Sequence, residues 1–332
     1  MKKISLVTVV WAGLCCGAAI AVEQPTALFL LDAQPNVRLY SMGGALSGLN
    51  QGDSVYNPWE LGYTVNTSLY LAHWPGAVID SKYNFLSVVA PFRRLGVFSL
   101  SYLNYGTGSE TIEELDGTQR RIKLEDDKIM AISYGVPITQ TLFVGGGIKS
   151  LTSTLAEDYK ATALLFDMGL VYRTLDDKHS FGVAMVNRGG GLKYYETTEP
   201  VPAEYKFGYT RKLRPYPGQK LVLGLGYAKS SVSKTISVGA EYQPGISFVS
   251  IRCGASRKTD VTVVTAGLGL NYNSVDLDVG YDLSSTRMEK EQTPLRFALS
   301  WSFGGRGDDA MAEKYMARGM KKKAMALRDD IK

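Results

Sequence analysis

Carboxylates at even spacing near the end of the chain are the side chains best placed to do chemistry. Asp276, Asp278 and Asp282 are separated by even numbers of residues, so they lie on one face of an extended segment. Carboxyl groups held close together can act as general acid and base. Ion pairing with Arg252 or Arg296, which fall on the same side of neighbouring extended segments, accounts for these carboxylates without catalysis.

The residue types that most metal enzymes and nucleophilic enzymes use are scarce. The chain has 2 histidines, His73 and His179, which excludes a histidine-rich metal site and leaves little for a Ser-His-Asp arrangement. The glycine runs at 145–147 and 189–191 are not followed by the lysine of a phosphate-binding loop. We interpret them as strand or turn glycines that bulky lumen side chains approach. We therefore predict that the protein is not an enzyme, needs no cofactor and has no nucleic-acid partner.

The composition and the first residues indicate an exported β-protein. Glycine (35 residues) and tyrosine (20 residues) are abundant, as in many all-β extracytoplasmic proteins. Lys2 and Lys3 precede an apolar run over 4–17, and Ala-Ile-Ala at 19–21 fits a cleavage site, so we predict a signal peptide over 1–21. A membrane anchor and a lipoprotein signal are the alternatives. Only Cys253 would remain after cleavage, which leaves no internal disulfide.

Beyond residue 21 the hydrophobic pattern has period 2. No apolar run reaches about 18 residues, so no transmembrane helix is predicted. In the last such segment Phe297, Leu299 and Trp301 share one face, opposite Ala298 and Ser300. Lipid-facing barrel strands have this apolar-out, polar-in alternation. The charged residues that the pattern assigns to the lumen are Asp167, Glu241, Arg252, Asp276, Asp278, Asp282 and Arg296.

Counting these segments gives an even number of strands. The predicted strands begin at residues 67, 82, 94, 127, 141, 161, 178, 203, 219, 233, 246, 260, 274 and 294. A soluble β-sandwich also shows period 2, but tyrosines near segment ends and alternating short and long connections favour a membrane barrel. We predict an all-β, transmembrane antiparallel barrel of about 14 strands over 66–303. Its assigned inward residues are mostly Gly, Ser, Asp and Arg, which argues against a continuous apolar pocket.

Two segments fall outside the predicted barrel. Residues 22–65 lack sustained alternation, and we predict that they form a plug inside the lumen, with a disordered lead-in as the alternative. Residues 304–332 have eight basic and five acidic side chains, a net charge of +3 out of the +5 of the whole chain. Asp308 is a suitable N-cap, so we predict a basic helical tail in the periplasm, either a docking segment or a solvated, partly frayed tail.

Short motifs in the predicted plug give the sequence a family resemblance. The motif residues are Arg38, Met42, Gly43, Gly44, Asn57 and Pro58. With later segments at 166–170, 239–242 and 266–269, they resemble the PorV/PorQ family of outer-membrane proteins, which is related to the FadL fatty-acid transporters. Trp59 stands where that family has alanine after Asn-Pro, so the plug role of this step is open.

The resemblance implies a FadL-like barrel of fourteen strands in the outer membrane of a diderm bacterium, in contact with outer-membrane lipid. Some family members belong to the type IX secretion system, so the resemblance implies that the protein handles or anchors exported proteins, with secreted cargo or secretion components as partners. The alternative is a FadL-like channel that carries hydrophobic small molecules through the lumen.

Overall fold

The computed structural model describes residues 27–45, 57–76, 80–92, 95–113, 117–245, 248–284 and 295–303. The predicted signal peptide and the predicted basic tail lie outside these residues, as do 22–26 and 46–56 of the predicted plug. Of the helices in the described ranges, none has the length and apolar character needed to cross a membrane.

Most of the described chain is β-strand. In chain order the strands are β1 (Thr67–Pro75), β2 (Lys82–Phe92), β3 (Gly96–Gly106), β4 (Ser109–Glu113), β5 (Gln119–Lys123), β6 (Glu125–Pro137), β7 (Leu142–Leu155), β8 (Tyr159–Arg173), β9 (His179–Gly189), β10 (Leu192–Tyr194), β11 (Thr197–Glu199), β12 (Glu204–Leu213), β13 (Lys220–Lys229), β14 (Lys234–Gln243), β15 (Val249–Lys258), β16 (Val261–Tyr272), β17 (Val275–Asp282) and β18 (Leu295–Phe303). Fourteen of them form a closed antiparallel barrel in which β1 pairs with β18, whereas β4–β5 and β10–β11 are separate hairpins. The predicted fold class is therefore confirmed.

The outer face of the barrel is apolar, as the alternation predicts. Phe297, Leu299 and Trp301 are 49%, 39% and 49% exposed, whereas Ala298 between them is buried. A closed sheet leaves no unpaired edge, and an apolar exterior of this kind is typical of a barrel that spans a membrane. The predicted strand starts lie within three residues of the observed ones, and the largest difference is at β15, predicted at 246.

The apolar band has a boundary at each end of the wall. At the end where β1 begins and β18 ends, the outward residues include Tyr172, Tyr272 and Trp301, as in an interfacial aromatic belt. At the opposite end, one register row crosses six neighbouring strands with polar residues only, namely His73, Asn84, Asn104, Lys128, Thr152 and Thr162. The membrane-facing part of the wall thus lies between an aromatic row and a polar row.

The segments before β1 pack against the inner face of the wall. They contain α1 (Ala27–Asp32), α2 (Val37–Ser41) and a 3₁₀ helix (Pro58–Tyr63). Asn36 caps α2, since its side-chain oxygen accepts a hydrogen bond of 3.0 Å from the Leu39 backbone N–H. The 3₁₀ helix begins with proline, whose fixed φ suits that position. We call the described residues 27–45 and 57–65 the plug.

Candidate functional site inside the barrel

Glycines on three neighbouring strands receive the 3₁₀ helix of the plug. A Cβ atom at Gly145 would lie 2.5 Å from the Pro58 carbonyl oxygen, and one at Gly169 would lie 2.6 Å from the Trp59 ring. At Gly135 on β6, a Cβ atom would lie 2.7 Å from the Gly62 nitrogen. Of the sequence motif, Pro58 therefore lies directly on the wall. The first glycine of the run at 145–147 is a wall position that the plug approaches closely.

The Met-Gly-Gly motif forms the turn that ends α2. Gly43 and Gly44 have φ values of +68° and +73°, in the region that favours glycine. The Gly44 backbone N–H donates a hydrogen bond of 2.9 Å to the Leu39 carbonyl, which closes the helix end. A Cβ atom at Gly43 would also lie 2.8 Å from the backbone of Ala255 on β15. Both the conformation and the contact explain glycine at this position.

Met42 anchors the same turn to the opposite side of the lumen. Its side chain is fully buried and packs with Leu39 and Val222. Gly239 and Gly254, on adjacent strands β14 and β15, lie directly against the Met42 backbone, and neither has room for a side chain. The plug is thus held by main-chain contact with glycines on two sides of the barrel.

A buried ion network joins α2 to the wall. Arg38 forms a bidentate interaction with Glu241, in which Nη2 lies 2.5 Å from Oε1. Arg252 Nε donates to Glu241 at 2.7 Å, and Arg252 Nη1 lies 2.5 Å from Asp278. Glu241 is 0% exposed. Two positive and two negative charges therefore cancel inside the lumen, and four of the residues singled out by the sequence analysis meet here.

Asp167 belongs to a second buried ion pair, on strands that do not neighbour those of the first network. Lys149 Nζ lies 2.7 Å from Asp167 and also donates to the Asn187 side-chain oxygen at 2.5 Å. Asp167 accepts a hydrogen bond of 2.7 Å from the Asn187 backbone N–H. The alternation predicts Asp167 as a lumen residue but not Lys149, although Lys149 is in the inward register of β7.

The remaining candidate residues have separate roles. Asp276 accepts a hydrogen bond from the Asn271 side chain, and Asp282 accepts one of 2.8 Å from the Ser284 backbone N–H. Arg296 contacts the plug, because its guanidinium lies 3.5 Å from the centroid of the Tyr40 ring. Its Nη1 also donates to the Gln34 carbonyl at 2.9 Å. Asn57 immediately precedes the 3₁₀ helix.

One side of the lumen is apolar, which corrects the expectation that inward residues are mostly Gly, Ser, Asp and Arg. Inward-facing residues of β1, β2, β3, β6, β7 and β8 form a buried cluster with α1 and the β10–β11 hairpin. Its larger wall residues are Tyr70, Trp74, Tyr83, Phe85, Leu103, Tyr105, Ile129, Leu151 and Leu165. Trp74 and Tyr83 stack at 4.9 Å between ring centroids. The apolar cluster thus lies opposite the network of Arg38, Glu241, Arg252 and Asp278, and the buried Lys149–Asp167 pair lies on the same side as the cluster.

A cavity of about 290 Å³ lies between the plug and strands β9 and β12 to β16. Plug residues Tyr40, Gly43 and Trp59 border it on one side. On the wall side, Gly208 and Ala228 leave the space open because their side chains are absent or small. The cavity therefore exists because the plug turn meets a wall of small residues, and any movement of the plug changes its size.

The end of β8 and the turn after it contact the last residue of the 3₁₀ helix of the plug. The Arg173 guanidinium lies 4.6 Å from the centroid of the Tyr63 ring and pairs with Asp177. Lys212 Nζ lies 3.0 Å from Asp177. Burial would raise the pKa of Asp177, but the positive charges of Lys212 and Arg173 outweigh it and hold the pKa below its usual value.

Solved structures share this architecture. The Pseudomonas putida toluene transporter TodX matches with a TM-score of 0.55 and 12% identity over 80% of this chain and 97% of that chain. The Ralstonia pickettii toluene transporter TbuX matches with a TM-score of 0.57 and 13% identity over 80% of this chain and 97% of that one. A Pseudomonas aeruginosa FadL homologue gives a TM-score of 0.52 and 12% identity over 80% and 97%. The fold is FadL-like.

The sequence comparisons add no family to this structural likeness. No protein-family profile and no curated protein matches the chain. At 12–13% identity, the FadL-like barrels share the fold with this protein, and the fold alone does not assign a substrate.

Proposed function

We propose that the protein is an outer-membrane channel for small hydrophobic molecules, exported by the signal peptide predicted at 1–21. The observation that carries this proposal is the cavity of about 290 Å³ that lies between the plug and the wall. Ligand sites are typically concave, largely preformed and lined by apolar and aromatic groups around a few polar ones. Here Trp59, Tyr40 and Leu31 supply the apolar and aromatic surface.

The charges around the cavity favour an uncharged ligand. Lys258 pairs with Asp32, and Lys206 lies 3.3 Å from Glu204, so these four lining charges balance one another. The fifth, Arg296, donates to the Gln34 carbonyl and lies over the Tyr40 ring. A charged solute entering this space would lose its hydration without gaining an opposite charge from either pair. An apolar molecule gains burial against the aromatic rings at no such cost. The volume suits a compact molecule such as a single aromatic ring.

The structural neighbours support the same class of substrate by analogy. TodX and TbuX are toluene transporters, and they have the same barrel architecture with a TM-score above 0.5. Similar folds often have unrelated functions, so this analogy ranks below the cavity as support.

The test is uptake of toluene by cells that carry the full chain in their outer membrane, measured as loss from the headspace. Ala228→Phe places a ring in the cavity, and we expect it to abolish the uptake that the wild-type protein provides. Ala240→Phe is the matched control, because Ala240 lies on the neighbouring strand β14 and faces outward, whereas Ala228 faces the lumen. Equal uptake by both variants would contradict a route through this cavity.

The second candidate is handling of exported proteins in the manner of the PorV/PorQ family. It rests on the resemblance of short segments, and no comparison with known proteins adds to it. The structural feature that favours it is the β4–β5 hairpin, where every residue of β4 is exposed and can present its edge to another chain. Co-purification of secreted proteins, lost when residues 109–123 are replaced by a short linker, would support this candidate over transport.

A further inference from the structure

A pair of buried carboxylates lies on the inner face of β6, away from the ion network that holds the plug. Glu125 and Asp127 are 7% and 0% exposed and occupy the same side of the strand. Asp126, between them, has the opposite parity and pairs with Lys123 at 2.7 Å and Lys128 at 2.5 Å. Lys123 and Lys128 thus pair with the outward carboxylate, and neither provides a counter-charge for the inward pair.

The inward carboxylates have no cationic partner among the described residues. Glu125 Oε1 and both carboxylate oxygens of Asp127 are buried and form no hydrogen bond of normal geometry. No ion pair in the described part of the chain includes either residue. Two adjacent carboxylates in an apolar, aromatic surrounding are strongly unfavourable unless something neutralises them.

Neutral oxygens converge on the same place. Ser153 on β7 is the register partner of Asp127, is 0% exposed, and has a hydroxyl that forms no hydrogen bond of normal geometry. The Tyr194 hydroxyl oxygen, from the β10–β11 hairpin, is also buried and faces Ser153 and the two carboxylates. With the three carboxylate oxygens, five buried side-chain oxygens therefore face one another in one place, and none forms a hydrogen bond of normal geometry. Such a concentration indicates a ligand.

We propose that Glu125, Asp127, Ser153 and Tyr194 bind a hard divalent cation, for which Ca²⁺ is the best fit. Ca²⁺ takes six to eight oxygen ligands in flexible geometry, and carboxylates combined with neutral oxygens and water meet this requirement. Mg²⁺ demands a near-ideal octahedron, which a site assembled from two strands and a hairpin is less suited to supply. The described residues contain no group of three or more His, Cys, Asp or Glu able to hold a metal, so hydroxyls must complete the site.

The bound cation would join the wall to the hairpin. Asp127 and Ser153 belong to β6 and β7, whereas Tyr194 belongs to β10, which packs on the apolar cluster through Leu192. The site lies near the start of β6, at the barrel end opposite the start of β1. The cation would therefore hold the β10–β11 hairpin over that end of the lumen. This role is independent of the proposed transport substrate.

Thermal unfolding of the full chain in detergent, stripped with EDTA and titrated with CaCl₂, is the first test. We expect a saturable rise in the unfolding temperature for the wild type and no rise for Asp127→Asn. Asp126→Asn is the matched control, since it removes a carboxylate one residue away on the outward side and should keep the Ca²⁺ response. An equal response from both variants, or no response from the wild type, would overturn the proposal.

Terbium luminescence gives a second readout that does not depend on stability. Tb³⁺ replaces Ca²⁺ at oxygen sites, and Tyr105, the register partner of Asp127 on β3, is placed to sensitise its emission. We expect saturable emission that Ca²⁺ displaces, present in Asp126→Asn and lost in Asp127→Asn. Absence of this emission in a folded wild-type barrel would show that protons, rather than a cation, neutralise the carboxylates.

Discussion

Gly254 on β15 lies so close to Met42 of the plug that a Cβ atom at Gly254 would overlap with the Met42 main chain. The overlapping atoms belong to the backbone of Met42 and Gly43, so no side-chain rotation can relieve the clash. The position of the plug inside the barrel therefore depends on a missing side chain in the wall.

Gly254→Ala should displace the plug and open a path for ions. Overpacking of this kind costs about 1–3 kcal/mol, and the plug can move more easily than the hydrogen-bonded wall. We expect a larger single-channel conductance in planar bilayers than for the wild type. Gly245→Ala is the control, because a Cβ atom at Gly245 would meet nothing within 4 Å. Identical conductance of the two variants would count against plug seating by Gly254.

Glu241→Gln should be one of the most destabilising single changes in the lumen. It leaves Arg38 and Arg252 close together in a buried site with Asp278 as the nearest anion, and breaking such a network costs about 3–5 kcal/mol. Arg38→Gln combined with Glu241→Gln should cost less than the sum of the two single changes.

Denaturant unfolding in detergent micelles measures these differences. Glu157→Gln is a suitable control, since it removes one partner of the exposed pair with Arg120, whose side chains are 44% and 47% exposed. Exposed pairs contribute about 0–1 kcal/mol. If Glu241→Gln lowers the free energy of unfolding no more than Glu157→Gln does, the buried network does not stabilise the barrel.

A disulfide between α2 and β17 should lock the plug in place. A Cβ atom at Gly280 would lie 3.1 Å from Cγ1 of Val37, a separation that a disulfide sulfur at that position can bridge. In a Cys253→Ser background, the Val37→Cys, Gly280→Cys protein should lose toluene uptake when oxidised and regain it on reduction. Each single cysteine variant is the control for the redox treatment. Undiminished uptake by the fully cross-linked protein would mean that transport does not require α2 to move.

Acid should weaken the turn after β8 through Asp177. The pKa of Asp177 is lower in the folded protein than its usual value of 3.8, so the ionised form favours the folded state. This contribution is complete above that value and is lost as the pH falls below it. The unfolding temperature of the wild type should therefore approach that of Asp177→Asn below about pH 4. A difference between the two proteins that stays constant from neutral to acid pH would contradict this assignment.

The strands were predictable because the wall needs only a binary pattern. Each strand faces lipid on one side, so Phe297, Leu299 and Trp301 recur at every second position and mark the strand in the sequence itself. The β4–β5 and β10–β11 hairpins were missed inside two long connections, because strands of three to five residues give too short a pattern.

The interior was harder to predict for two physical reasons. On β2, inward Tyr83 and Phe85 alternate with outward Leu86 and Val88, so both faces are apolar and the period-2 contrast that identifies a lumen residue is lost. Partners across the barrel depend on register, which is why Asp167 was found but its partner Lys149 was not. The seating of the plug on Gly145 and Gly254 depends on backbone contact, which leaves no sequence pattern beyond glycine itself.

The closure of the wall between β1 and β18 also constrains how the molecule assembles. Leu69 pairs with Trp301, so the seam joins the first and last strands of the sheet and forms only after the entire wall has been synthesised. Contacts of such long sequence separation are slow to form because loop closure costs entropy before any pairing is gained. Residues 27–45 precede every strand and are available to the inner surface while the seam is still open. We therefore expect insertion of the plug and sealing of the sheet to be coupled in biogenesis, with a plug that docks early serving as a template around which the wall closes.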